Sequence, residues 1–251
     1  MAPPTRVAAF RSFWAPNRLG FSIAVFFAIG ASHFLVAALA ATWPEASPAF
    51  VRDARTQAWV FFAGSLFFTC GAWLQWLEAL NGDVARSLEA TPPSWRWFGW
   101  HPRNLGYLAC SMQLAGTLFF NVNTANGLIQ ELTWREQELL IWGPNMLGSI
   151  CFLLASYLAY AEISHGAASF EPHSVSWWVA VINLLGSVAF QLSALDSFVT
   201  SAPSPAAMVF SSNLLTAIGA LCFLIGSYLL IPELFDSDRA GSRKAGFSPM
   251  A

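Results

Sequence analysis

Three glutamates stand at matching places in this sequence. Glu78, Glu162 and Glu233 each lie fourteen residues after a glycine (Gly64, Gly148 and Gly219), and a small residue, Gly71, Ala155 or Gly226, stands halfway. Steps of seven return to nearly the same helical face. Each carboxylate therefore ends a groove of small residues, about 21 Å from its glycine at a helical rise. If the three converge, they form an acidic mouth that attracts cations, as carboxylate rings do in cation channels. If they splay outward, they snorkel toward headgroups or pair locally, with Arg18 and Arg103 as the neighbouring cations in the first two cases. No Arg or Lys stands just before Trp177. Glu233 therefore needs another donor, water or a proton.

The other polar candidates lie inside apolar sequence, where they are costly in lipid. His33 either bonds a neighbouring carbonyl or relays a proton, and no carboxylate shares its depth. Gln113, Asn145, Asn183, Gln191 and Asn213 either bridge helices or line a polar cavity. Asn121, Asn123 and Asn126 cluster at the end of one apolar run, where Asn126-Gly127 reads as a helix stop. Cys70, Cys110, Cys151 and Cys222 also fall in apolar runs, without Cys-x-x-Cys spacing, and read as small core residues. His101, His165 and His173 lack metal-ligand spacing. With no phosphate-cradling glycine loop and no nucleophile elbow, neither a metal, a cofactor nor an enzymatic activity is expected.

The elements that position these residues repeat. Gly30, Gly64, Gly116, Gly148, Gly186 and Gly219 are each followed by Ala, Ser or Thr and, four residues on, by Phe34, Phe68, Phe120, Phe152, Phe190 and Phe223. One copy falls in each of six charge-free stretches of 22 to 36 residues. A bilayer core takes about 20 apolar residues in a helix, so the fold class is all-α, a polytopic membrane protein with six transmembrane helices. A composition 56% hydrophobic and 10% charged, with 12 Trp, agrees. The first stretch is longer than a signal-peptide core and carries the pentad, so it reads as helix 1. The Gly-x-x-x-Phe pattern offers a hole and a knob on one face, suited to close packing in lipid.

Odd helices share a small residue ten before the repeat glycine: Gly20, Gly106 and Ser176. The chain thus reads as three tandem hairpins in parallel orientation, about 17–81, 103–163 and 174–234, within one membrane domain (1–235) followed by a disordered tail (236–251). Nine Arg and Lys fall on one side and three on the other. The positive-inside rule then makes both termini cytoplasmic, in a multi-pass protein of the bacterial cytoplasmic membrane. Asn81-Gly82 ends helix 2, Asp83 to Ala90 form a short helix, and Thr91-Pro-Pro-Ser94 breaks it before the Trp-rich strip at 95–100 lies along the interface. Thr133-Trp-Arg-Glu136 is a capping box that starts helix 4 early.

The glycine hairpins, together with Arg96-Trp-Phe-Gly-Trp100, Phe119-Phe-Asn-Val-Asn-Thr124, Asn183-Leu-Leu-Gly-Ser187 and Gly219-Ala-Leu-Cys-Phe223, resemble the bacterial YrhK-type membrane proteins. The likeness covers most of residues 14–235 and implies a triplicated hairpin; it implies no activity, partner or site residue. Two functional classes follow from the residues. One is a non-catalytic membrane protein whose hairpins pack with each other, with a second copy or with a membrane partner. The other is a small-solute or cation permease with a central cavity between the hairpins. A net charge of -2 points to no nucleic-acid partner.

Overall fold

The computed structural model describes residues 14–82, 94–164 and 170–245. Six helices are long and apolar enough to cross a membrane: α1 (Leu19–Thr42), α2 (Ala54–Leu80), α3 (Leu105–Asn126), α4 (Trp134–Ile163), α5 (Val175–Asp196) and α6 (Ala206–Ala245). The chain is therefore an all-helical, multi-pass membrane protein, with no strand among the described residues.

Helix starts follow short polar side chains that satisfy orphan N–H groups. Asp53 accepts from the Thr56 amide, Asn104 from that of Tyr107 and Ser174 from that of Trp177. Thr133 and Glu136 cap each other reciprocally, and α4 begins at Trp134. Asn81 caps the end of α2 and Gly127 that of α3. The expected helix at 83–90 and the Thr91-Pro-Pro turn lie outside the described residues. In α6 the backbone stays helical to Ala245, past the boundary at 235 where the polar composition pointed to disorder; 246–251 lie outside the described residues.

Near its start α4 widens into one π-helical turn, Glu138–Trp142, where the Gly143 amide reaches back to Glu138 O. Proline explains the break. Pro144 has no N–H for the carbonyl four residues earlier, that of Leu140. Asn126 of α3 donates to Leu140 O at 3.2 Å instead, and Asn123 donates to Ile141 O at 3.1 Å. Two of the three clustered asparagines thus serve the carbonyls that the wide turn leaves open.

Each helix packs against its neighbours in sequence, and α6 also packs against α1, so the six close into a ring. Neighbours α1 and α2 run in opposite directions: Phe27 lies on Gly71, Gly30 beside Gly64, and Phe34 against Phe61. The residue after each repeat glycine is sealed inside: Ala31, Ser65, Thr117, Ser149, Ser187 and Ala220 are all 0–1% exposed. Two seams between pairs carry hydroxyl bridges, Ser65 to Thr124 at 2.9 Å and Ser156 to Ser187 at 2.7 Å. At the α6–α1 seam, Leu234 packs on Gly20 and Arg18 donates to Leu234 O at 3.2 Å.

Candidate functional site

The pentad builds the axis of the ring. Phe68 lies against Gly30 and Phe34 against Gly64; Phe152 and Phe120 meet Gly116 and Gly148, and Phe223 and Phe190 meet Gly186 and Gly219. The fit leaves no room for a side chain, since a Cβ on Gly219 would stand 2.6 Å from the Phe190 ring and one on Gly30 would stand 3.0 Å from Gly64 O. The six rings then meet one another. Phe34, Phe120 and Phe190 form one triangle, with centroids 5.9 to 6.3 Å apart. Phe68, Phe152 and Phe223 form a second, at 5.5 to 6.3 Å. The triangles touch through Phe34–Phe68, Phe120–Phe152 and Phe190–Phe223 at 5.1 to 5.5 Å, mostly edge-on or tilted, as the ring quadrupoles favour. Aromatic carbon fills the centre of the ring at this level.

The three glutamates lie toward one end of the bundle. The Glu162 oxygens stand 2.6 and 2.9 Å from where a Cβ on Gly106 would be, so glycine at that place gives the carboxylate room against α3. Ser176 is a polar neighbour of Glu233, at the place where the sequence offers no cation. Gly106 and Ser176 are the shared small residues of the odd helices. Glu78 lies within electrostatic reach of Glu233, and the Cys110 thiol lies within reach of both Glu78 and Glu162. Arg18 serves α6, through its bond to Leu234 O and by lying 5.4 Å over the Phe235 ring.

Around this acidic end, the position three before each odd-helix glycine is Phe27, Gln113 or Asn183. Phe27 covers Gly71, and the Asn183 amide lies on Gly226 with its Oδ1 buried and without a hydrogen-bond partner. Gln75 Oε1, one turn before Glu78, is buried in the same state. Gln113 and Asn213 are half-buried. The other amides bridge helices: Asn145 donates to Ser197 Oγ at 3.3 Å, Asn121 donates to Thr69 Oγ1 at 2.8 Å, and Gln191 accepts from Ser149 at 3.2 Å. His33 stands apart from the acids. Its Nδ1 lies 2.8 Å from Ile29 O in its own helix, its Cβ rests on Gly64 and its ring faces Phe67 at 5.5 Å.

Sequence reasoning passed over Gln75 and took Cys110 only as a small core residue. The signal was available for Gln75, which shares a helical face with Glu78 three residues on. For Cys110 there was none, because its relation to the acids depends on how α3 packs between α2 and α4. The approach to this end is also built. Buried Asn81 donates to Arg96 O at 2.8 Å and accepts from the Arg96 amide at 2.7 Å, which pins the strip 95–100 to the end of α2. Tyr107 donates to Gly99 O at 2.7 Å, and Trp76 to Ser111 Oγ at 3.1 Å. Against known proteins, no family model, no curated protein and no solved structure matches this chain.

Proposed function

We propose that this integral membrane protein is non-catalytic, a rigid bundle of three tandem hairpins in parallel orientation that serves a structural or partner-binding role, in the manner of a triplicated YrhK-type protein. Both termini lie on the cytoplasmic side of a bacterial cytoplasmic membrane in this reading. One observation carries it: the six repeat phenylalanines occupy the bundle axis and pack on the six repeat glycines. Hydration of that level would require several buried rings to leave together, at a cost of about 1.5–3 kcal/mol each. Such a core suits a scaffold better than a pathway. The partner is a second copy or another membrane protein.

A second reading, a cation permease, draws support from the acidic end, where Glu78 and Glu162 lie within reach of Cys110, Glu233 lies within reach of Glu78, and the buried oxygens of Gln75 and Asn183 stand without partners. Reconstitution separates the two. Purified protein in liposomes leaves potassium and sodium flux at the protein-free level if the scaffold reading holds. Flux above that level, lowered in the Glu78→Gln, Glu162→Gln, Glu233→Gln triple variant, would establish the permease.

A further inference from the structure

The geometry points to a phospholipid site of ethanolamine type at the acidic end of the bundle, in the cavity between the start of α3 and the end of α4. Trp100, His101, Arg103, Asn104 and Leu105 line it from one side and Ala161 and Glu162 from the other. It is an open groove of about 1120 Å³, with room for a headgroup and its glycerol. Its depth is that of headgroups: both helices leave their apolar spans here, and the neighbouring strip exposes Trp95, Trp97, Phe98 and Trp100.

Charge narrows the occupant. Arg103 and Glu162 both face the cavity and, among the described residues, make no ion pair with each other. A simple anion gains Arg103 and is repelled by Glu162; a simple cation meets the reverse. An occupant carrying both a phosphate and an ammonium satisfies the two at once, with the phosphate on the Arg103 guanidinium and the ammonium on Glu162. A primary ammonium suits the site better than a quaternary one. It donates hydrogen bonds to the carboxylate, whereas a trimethylammonium relies on a cage of aromatic faces, and among the described lining residues Trp100 alone offers an indole or phenyl face. The lining is held in place from below, because Tyr107, anchored on Gly99 O, meets His101 edge-on at 5.5 Å and Trp100 at 6.3 Å.

Native mass spectrometry of the purified protein, with equal loads of phosphatidylethanolamine, phosphatidylcholine and phosphatidylglycerol, tests the assignment. The wild type is expected to retain the ethanolamine lipid over each of the others by about tenfold, the ratio that one charge-assisted hydrogen bond supplies. Arg103→Gln should cost affinity for the ethanolamine and choline lipids alike. Glu162→Gln should erase the preference for ethanolamine over choline while the choline lipid still binds. Soluble phosphorylethanolamine should displace no lipid and shift no melting temperature; if it binds as well as the lipid, the site serves a soluble ligand instead. Equal retention of the three lipids, a preference for the glycerol lipid, or an unchanged preference in both variants would overturn the proposal. Arg103 lies exposed outside the span, so its variant keeps the test usable if Glu162→Gln misfolds.

Discussion

Phe152 is 2% exposed and its ring meets Phe68, Phe120, Phe190 and Phe223, members of both axial triangles. Truncating it removes contacts toward four helices and leaves a void that rigid glycine-lined backbones cannot close. Phe152→Ala is therefore expected to destabilise the protein by about 3–5 kcal/mol, read as a fall in melting temperature in detergent, whereas Leu154→Ala, 46% exposed on the same helix, should move it far less. Equal losses at the two positions would show that the axis is not the core. His33 makes the opposite case. Its ring is occupied by a carbonyl of its own helix and by Phe67, and phenylalanine already stands at the matching places 67 and 119. His33→Phe should keep the wild-type melting temperature to within about 1 kcal/mol of stability and leave any transport activity unchanged. A lost proton-dependent activity in that variant would restore the relay.

The elements were legible where charge and capping chemistry mark them, and less so where one helix completes another. Asp53, Asn104, Thr133 and Ser174 cap helices because short polar side chains satisfy the first N–H groups locally. Thr133-x-x-Glu136 therefore predicts its own structure. Asn126, read as a stop signal, does end α3, but its amide also reaches across to α4. That second role depends on Pro144, which lies eighteen residues away and acts through a missing donor. The two should be coupled. Asn126→Ala alone should cost about 1 kcal/mol, the worth of one hydrogen bond. In a Pro144→Ala background, the restored amide can bond Leu140 O within α4, so the same change should cost much less. A double-mutant cycle by thermal or denaturant melting reads the difference. Additive losses would mean that the asparagine does not stand in for the proline's missing donor.

At the scale of the molecule, six spans are written in the charge-free stretches, but their ring is not, because every helix carries the same pentad and any copy could pair with any other. Closure depends on contacts between residues far apart in sequence, Leu234 on Gly20 and Arg18 to the Leu234 carbonyl. In a background without the four native cysteines, Gly20→Cys with Leu234→Cys should cross-link under mild oxidation, whereas Gly20→Cys with Tyr157→Cys should not. Failure of the first pair would open the ring. Orientation depends on a different physical term, the Arg and Lys imbalance of nine to three, which acts during insertion and leaves no trace in packing. It is tested by labelling. Ser94 and Ser201 are both exposed, one in the connection before α3 and the other in that before α6. With the termini inside, a cysteine at 201 reacts with an impermeant maleimide on intact cells and one at 94 reacts only after the membrane is opened. The arginines at 86 and 96 flank the first position, whereas no Arg or Lys stands between 136 and 238, on either side of the second. Labelling of 94 from outside would therefore invert the topology, and with it would move the acidic end and its proposed lipid cavity to the opposite leaflet.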